Sequence, residues 1–162
     1  MLRTTGRFFS RGVTTLRPFH LAIPVHSVPA ARAFYGDLLG CTEGRRDGDL
    51  WQDYNFFGHQ LVCHFVGESY RGLDFRNPVD NKEVPVPHYG VCLTVPEFRA
   101  LETRLRTFPD QIKFVVEPYL RFEGAPGAQL TMFFKDPSNN NLEFKAMVHQ
   151  ENLFAKYDVA TK

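Results

Sequence analysis

Residues 19–25 have the sequence FHLAIPV, in which large apolar side chains alternate with His20, Ala22 and Pro24. Because successive side chains of a strand point to opposite faces, this alternation predicts a half-buried strand, and Pro24 indicates an edge or a bulge. Apolar residues at helical spacing follow at residues 30–39 and end before a glycine. The sequence therefore predicts a strand that leads directly into a helix.

Residues 88–95, with the sequence HYGVCLTV, repeat this beginning. The second stretch also starts with a histidine and alternates, and Pro96 opens a second predicted helix. Three short strands are predicted after each helix, near residues 42–46, 50–57 and 60–66 in the first half and 112–119, 128–135 and 141–148 in the second. The two halves are predicted to be an internal duplication of a βαβββ unit.

Residues 67–87 lie between the halves and are rich in Gly, Asn, Asp and Pro, which predicts a loop. The two modules then cover about residues 19–66 and 88–147. Both belong to one predicted domain at residues 18–149, and residues 150–162 form a C-terminal tail.

Residues 1–17, MLRTTGRFFSRGVTTLR, differ in composition from the rest of the chain. They contain four arginines and several Ser and Thr residues, but no acidic residue. This composition is typical of a mitochondrial transit peptide, and an unstructured basic tail is the alternative. We predict a location in the mitochondrial matrix, or in the cytoplasm if the segment is only a tail.

The overall composition excludes several classes of function. The formal net charge is +1 and no basic stripe follows residue 17, which argues against nucleic-acid binding. No apolar run approaches the ~20 residues that cross a bilayer, so no membrane partner is predicted. The three cysteines form no C-x-x-C pair, and their odd number argues against a disulfide framework.

Four ionisable side chains are predicted on strand faces opposite the strongly apolar ones. His20 and His88 begin the first strand of each module, while His64 and Glu143 lie on the last strand of each. If the apolar faces pack against the helices, these four side chains share the concave side of the sheet. Imidazoles and a carboxylate on one surface can form an open metal site, although a single strand histidine is more often structural.

Two motifs carry a specific resemblance to a known family. Residues 31–35, ARAFY, lead to Leu-Gly at residues 39–40, and residues 136–144, DPSNNNLEF, join a turn to the last strand. With the duplicated βαβββ order, residues 19–147 resemble the vicinal-oxygen-chelate superfamily of glyoxalases, bleomycin-resistance proteins and extradiol dioxygenases. That family usually has Gly where Asn139 stands, and Asn tolerates the left-handed backbone of such a turn.

The resemblance implies an α+β fold in which the two modules form a mixed, curved eight-stranded sheet with the helices on its outer face. It also implies that one divalent metal (Fe, Mn, Zn, Ni or Co) is bound by His20, His88 and Glu143. His64 lies where a fourth ligand often lies, and three roles are open for it: fourth ligand, catalytic acid or base, or core histidine. Glyoxalase I commonly has a glutamate there, so His64 weakens that assignment.

Two further residues are candidates for substrate binding. Arg121, beside the predicted loop at residues 119–128, could orient an anionic substrate, and a solvated arginine is the alternative. Gln129 shares its strand face with Thr131 and Phe133 and is predicted to line the concave side.

Three protein ligands leave positions open at a metal, where a substrate with two adjacent oxygens can chelate. The resemblance therefore implies a metal-dependent enzyme acting on a small oxygen-chelating metabolite, either dioxygenase-like or glyoxalase/epimerase-like. A non-catalytic ligand-binding module of the bleomycin-resistance type is the alternative. The expected partners are a small-molecule substrate and a second copy of the chain, because related proteins often form homodimers. In some of them each site is built from two chains.

Overall fold

The structure is a computed structural model that describes residues 16–156 of the 162-residue chain. The predicted transit peptide at residues 1–17 therefore lies almost entirely outside the described residues, as does the end of the predicted tail. Within residues 16–156, no helix is both long and apolar enough to span a membrane.

The described residues form ten strands and a few short helices. The strands are β1 (His20–Val25), β2 (Thr42–Asp47), β3 (Trp51–Phe56), β4 (His59–Phe65), β5 (Phe75–Val79), β6 (Lys82–Val86), β7 (His88–Tyr89), β8 (Phe114–Arg121), β9 (Gln129–Lys135) and β10 (Asn141–Met147). The helices are α1 (Val28–Ala31), which continues as a π-helical segment (Arg32–Leu38), α2 (Val95–Arg106) and a short 3₁₀ helix (Gln150–Phe154).

The predicted α+β class and the duplicated βαβββ order are confirmed. Eight strands are divided between two four-stranded sheets, one with the order β1-β4-β3-β2 and one with the order β7-β10-β9-β8. In each sheet the first strand of the module pairs in parallel with the last, while the remaining neighbours pair antiparallel. The two modules therefore share one connectivity, as an internal duplication requires.

The prediction of a loop over residues 67–87 is wrong in its second half. Phe75–Val79 and Lys82–Val86 pair antiparallel as a hairpin, β5-β6. Its turn residues Asp80 and Asn81 have positive φ angles of 52° and 57°, the conformation that suits the twist of a tight hairpin. Each strand contains a proline, which argues against a central strand but is tolerated here because both strands are edges.

Local sequence signals determine where the helices and the last turn lie. Ser27 accepts a backbone hydrogen bond in the first turn of α1, and Thr94 and Glu97 form a capping box at the start of α2. Gly40 follows the first helix with a φ of 76°, a left-handed conformation that glycine adopts without strain. Asn139 has a φ of 63°, so the expectation that it replaces Gly in this turn is confirmed.

One continuous apolar core joins the two modules. It contains buried residues from both sheets and both helices, among them Ile23, Phe34, Leu61, Leu101, Phe134 and Phe144. The rings of Phe56 and Phe144, one from each module, lie 5.7 Å apart between centroids. Residues of both sheets and both helices therefore share one core, and the polar strand faces lie opposite the faces that contribute to it.

A buried hydrogen-bond network around Asp136 also joins the modules. The Tyr35 hydroxyl donates to Asp136 Oδ2 at 2.9 Å and is hydrogen-bonded to the hydroxyl of Tyr89. The backbone N–H groups of Ser138 and Asn140 donate to Oδ1, both at 2.8 Å. Burial raises the pKa of Asp136, and the hydrogen bonds that it accepts oppose that rise. The network fixes the turn that leads into β10.

Replacing Tyr35 with Phe should lower the free energy of unfolding by about 1–3 kcal/mol, because it leaves the buried Asp136 carboxylate without one of its donors. Tyr54→Phe is the matched control, since the Tyr54 hydroxyl is buried and has no hydrogen-bond partner within the described chain. We expect that control to be neutral or stabilising. Urea unfolding of both variants measures the difference, and equal effects would contradict the role given to the network.

Candidate functional site

His88 and Glu143 meet on the polar face of the second sheet. His88 begins β7, and Glu143 lies on the neighbouring strand β10, two residues beyond the strand partner of His88. The His88 Nε2 and Glu143 Oε2 atoms are 3.1 Å apart, and their side chains are 29% and 9% exposed. The carboxylate is thus buried, while the imidazole still borders solvent.

Both side chains are held in place by their second polar atom. His88 Nδ1 lies 2.7 Å from the Pro85 carbonyl oxygen, to which it donates. The Thr131 hydroxyl donates to Glu143 Oε1 at 2.8 Å. With these two contacts, Nε2 of the imidazole and Oε2 of the carboxylate are the atoms that remain and face each other.

The protonation of this pair follows from these contacts. Because His88 Nδ1 carries the proton donated to Pro85, a neutral ring would present the lone pair of Nε2 to the Glu143 carboxylate. That arrangement is repulsive, so the contact needs either an imidazolium or a cation between the two groups. The hydrogen bond to Glu143 raises the pKa of His88. Burial alone would raise the pKa of Glu143, but the contacts with His88, Lys145 and Thr131 lower it below its ordinary value.

Backbone packing determines the distance between the two strands at this point. A Cβ at Gly90 would collide with the backbone of Glu143, so only glycine allows the chain after β7 to lie against β10 here. The buried Asn141 donates to the Pro87 and Leu73 carbonyl oxygens at 3.1 and 3.2 Å. These contacts hold the segment that precedes His88.

His20 lies on the corresponding face of the first sheet and is exposed. Its Nδ1 is 2.7 Å from Gln60 Oε1, and the amide of Gln60 donates to Asp53 Oδ2 at 3.0 Å. Arg45 completes the row with an ion pair to Asp53 at 3.0 Å. With Nδ1 bound to Gln60, Nε2 of His20 has no hydrogen-bond partner among residues 16–156, and this is the arrangement of a histidine that is oriented to ligate a metal.

The structure does not bring the three predicted metal ligands together within one chain. Among residues 16–156 no group of three His, Cys, Asp or Glu side chains is close enough to hold a metal ion. His88 and Glu143 are in contact, whereas His20 belongs to the other sheet and takes no part in that contact. One described chain therefore provides two separate parts of the predicted ligand set.

The strand register distinguishes His64 from the position that Glu143 occupies. Glu143 lies two residues beyond the strand partner of His88, and the equivalent position in the first sheet, counted from His20, is Val62. His64 is two residues further along β4 and is exposed. The predicted role of His64 as a catalytic acid or base stays a prediction.

The two predicted substrate-binding residues lie on the same face as Glu143. Arg121 and Gln129 are strand partners at the ends of β8 and β9, and they are 4% and 8% exposed. The alternative of a solvated Arg121 is therefore wrong. Both are buried because hairpin β5-β6 crosses this face, with Val84 packed against Phe133.

Sequence reasoning missed two features that orient these residues. Gln60, which holds His20, could have been found because the alternation of β4 places it on the polar face. The hairpin that provides the Pro85 carbonyl to His88 gave no such signal, because its prolines concealed the strand pattern.

Solved structures provide the comparison with known proteins. A glyoxalase/bleomycin resistance protein/dioxygenase from Alicyclobacillus acidocaldarius is 32% identical with a TM-score of 0.70, and the match covers 85% of this chain and 96% of that chain. A lactoylglutathione lyase from Agrobacterium tumefaciens is 18% identical with a TM-score of 0.58, covering 89% and 100% of the two chains. This second likeness shows the fold alone. No family model and no curated protein matches the chain.

The ion pair predicts a specific pH dependence for the metal-free protein. The pKa of His88 is raised above 6.5, so its contribution to the free energy of unfolding is complete below that pH and is lost as the pH rises through the folded-state pKa. The pKa of Glu143 is lowered below 4.5, so its contribution is complete above that pH and is lost as the pH falls through the folded-state value. The pair should therefore stabilise most between about pH 4.5 and 6.5.

Urea unfolding of the wild type and Glu143→Gln across this pH range measures the effect, and NMR titration of His88 gives its pKa directly. Glu151→Gln is the control, because Glu151 forms only an exposed contact of 3.8 Å with His149. A difference between wild type and Glu143→Gln that does not change with pH would contradict the ion pair.

Proposed function

The chain belongs to the glyoxalase/bleomycin resistance/dioxygenase family of the vicinal-oxygen-chelate superfamily, and from this we propose that it is a metal-dependent enzyme acting on a small oxygen-chelating metabolite. The proposed metal ligands are His88 and Glu143 of one chain together with His20 of a second copy. The identity of the metal and the reaction within the family are part of the proposal, and both are testable.

The contact between His88 and Glu143 is the observation that carries the proposal. Two donor atoms that each lie ~2.1 Å from one ion, at roughly a right angle, are about 3 Å apart. The Nε2 and Oε2 atoms are 3.1 Å apart, and each belongs to a group fixed by its other polar atom. An imidazole and a carboxylate suit Fe, Mn, Zn, Ni and Co. The donors present therefore fit a divalent metal.

Each residue of the site has a distinct proposed task. A divalent metal bound there would supply Lewis-acid stabilisation of charge on chelated substrate oxygens. Pro85 keeps the proton of His88 on Nδ1, and Thr131 keeps one Glu143 oxygen occupied so that the other faces the ligand. His64 is the proposed acid or base for a reaction that moves a proton.

A homodimer is proposed because, within residues 16–156, His20 and the His88–Glu143 pair are not close enough to share a metal ion. A second copy related by a two-fold axis can place its first module opposite the second module of the first copy, and the same contact then recurs on the other side. His20 is already oriented by Gln60, and its Nε2 has no partner in the described part of the chain. In such a dimer, each of two sites would contain His20 from one chain and the His88–Glu143 pair from the other.

Metal analysis of separately tagged variants tests this arrangement. We expect wild-type protein to hold about one metal per chain, and His20→Ala, His88→Ala and Glu143→Ala homodimers to hold almost none. His149→Ala is the control, because His149 is exposed. In a doubly purified heterodimer of His20→Ala with Glu143→Ala, one site carries both changes and the other carries none. That heterodimer should hold about one metal ion.

The possible results separate the parts of the proposal. A heterodimer without metal, beside a fully loaded wild type, would mean that each site lies within one chain. A His20→Ala homodimer that keeps its metal would remove His20 from the ligand set. Wild-type protein that holds no metal, even after reconstitution, would refute the metal-dependent enzyme.

The metal found then selects the reaction to be tested. Iron with a His, His, Glu set suits oxygen-dependent cleavage of catechols, the dioxygenase-like reaction. Zinc, nickel, cobalt or manganese suits isomerisation beside a carbonyl, the glyoxalase/epimerase-like reaction, tested with 2-oxoaldehyde adducts and acyl thioesters.

A non-catalytic binding module is the second candidate, and the absence of a three-ligand cluster within residues 16–156 favours it. Tight ligand binding that is unchanged by metal removal would support that candidate.

We also propose a location in the mitochondrial matrix, on the basis of the arginine-rich, acid-free segment at residues 1–17. Fusion of this segment to a fluorescent protein in cultured cells should direct it to mitochondria. The same fusion with Arg3, Arg7 and Arg11 changed to Ala should remain in the cytoplasm. Cytoplasmic fluorescence of the unchanged fusion would contradict the proposal.

A further inference from the structure

Arg121 is a buried arginine that forms no ion pair within the described chain. It is 4% exposed. None of the ion pairs in residues 16–156 includes it. Arginine is almost never fully buried unless it is paired, because removing its charge from water is unfavourable. Its position therefore calls for an anion that the described residues do not provide.

The contacts of Arg121 hold the side chain but leave most of its donors free. Its Nε donates to the Tyr119 hydroxyl at 2.8 Å, and one terminal nitrogen donates to the Val79 carbonyl oxygen at 3.4 Å. The rings of Tyr119 and Phe122 lie 5.7 and 5.5 Å from the guanidinium carbon. A guanidinium has five N–H donors, so two contacts leave three for a ligand.

No acidic side chain of the described residues pairs directly with Arg121, and one is linked to it through the Tyr119 hydroxyl. The Tyr119 hydroxyl donates to Asp80 Oδ2 at 3.3 Å, at the tip of hairpin β5-β6. Lys82, on the same hairpin, lies 5.5 Å from the Tyr119 ring and adds a second positive charge. The corner formed by Tyr119, Arg121, Gln129 and the hairpin tip is called the arginine corner below, and its charge is positive.

The arginine corner shares a sheet face with Glu143. Arg121 pairs with Gln129, and Tyr119 pairs with Thr131, whose hydroxyl contacts Glu143. Arg121 and Glu143 are two strands apart and four residues apart in register, so a strand rise of ~3.3 Å and a strand spacing of ~4.8 Å place their Cα atoms about 16 Å apart. Both side chains project from the same face and cover part of that distance, which leaves a gap that one small molecule can span.

We propose that the arginine corner binds a carboxylate at the end of the substrate opposite its chelating oxygens. The inference rests on the proposed function, because it takes the His88–Glu143 pair as the place where those oxygens bind. The substrate class is then a small organic dianion, with two vicinal oxygens at one end and a carboxylate at the other. Arg121 binds this carboxylate, and Gln129 completes the corner as a neutral hydrogen-bonding neighbour.

Calorimetric binding of 2-oxo acids to metal-loaded protein tests the inference. The dianions 2-oxoglutarate, 2-oxoadipate and 2-oxopimelate present a chelating end and a second carboxylate at increasing distance. Their uncharged-end counterparts 2-oxopentanoate, 2-oxohexanoate and 2-oxoheptanoate serve as matched ligands. We expect a dianion to bind about tenfold or more tightly than its counterpart at the length that spans the site.

Two variants remove the preference by different routes. Arg121→Gln removes the cation, and Gln129→Glu places an isosteric carboxylate beside it that competes with the ligand. Both should reduce the preference for dianions to near unity, and Gln129→Glu should do so without loss of the buried arginine. If Arg121→Gln fails to fold, Gln129→Glu decides. Arg99→Gln is the control, because Arg99 is exposed on α2 and pairs with Glu102.

The results that overturn the inference differ from those that overturn the proposed function. Metal-loaded protein that binds dianions and their counterparts alike, or binds neither, would refute the arginine corner alone. So would a preference that persists in both variants, or variants that change only the dissociation of the dimer, since Arg121 would then pair with an acid of the second copy. Wild-type protein that holds no metal even after reconstitution would refute the proposed function, and an Arg121-dependent preference for dianions in that protein would keep the arginine corner.

Discussion

The shared apolar core is the constraint on which the rest of the structure depends. Because strand side chains alternate between two faces, the residues that pack Phe56 against Phe144 also determine where their neighbours point. The polar side chains of both sheets must therefore lie on the strand faces opposite those that enter the core. The Asp136 network strengthens this arrangement, since it joins the first helix to the last turn through Tyr35. A ligand set divided between two surfaces follows from this packing.

Strand alternation is also the reason why much of the site could be predicted from the sequence. A side chain opposite an apolar strand face is directed away from the core wherever the strand lies, so alternation alone predicts that His20, His88 and Glu143 lie opposite the core-facing residues of their strands. The helix caps can also be predicted from local sequence, because Ser27 and Thr94 accept hydrogen bonds from backbone N–H groups within one turn of their own positions. These features depend on neighbours in sequence, and a pattern of single residues is enough to show them.

The features that escaped prediction depend on contacts between distant segments. Hairpin β5-β6 is stabilised by packing of Val84 on Phe133, which no local pattern contains. Its presence buries Arg121, whereas a loop in its place would have left that arginine in solvent. The placement of the two modules relative to each other also depends on contacts between distant segments. Duplication predicted two similar sheets, but no local pattern predicts that His20 and the His88–Glu143 pair of the described chain are not close enough to share a metal ion.

A difference in sequence between the two modules determines the charge of the proposed site. The position that holds Glu143 in the second module holds Val62 in the first, so the duplicated scaffold offers one carboxylate where it could offer two. With two neutral imidazoles and one carboxylate, the ligand set would leave a divalent ion with a net charge of about +1. A second carboxylate would cancel that charge and weaken the attraction for an enolate or catecholate. The apolar residue at Val62 therefore favours an anionic chelating ligand, and the uncompensated charge of Arg121 on the same face favours one that is anionic at both ends.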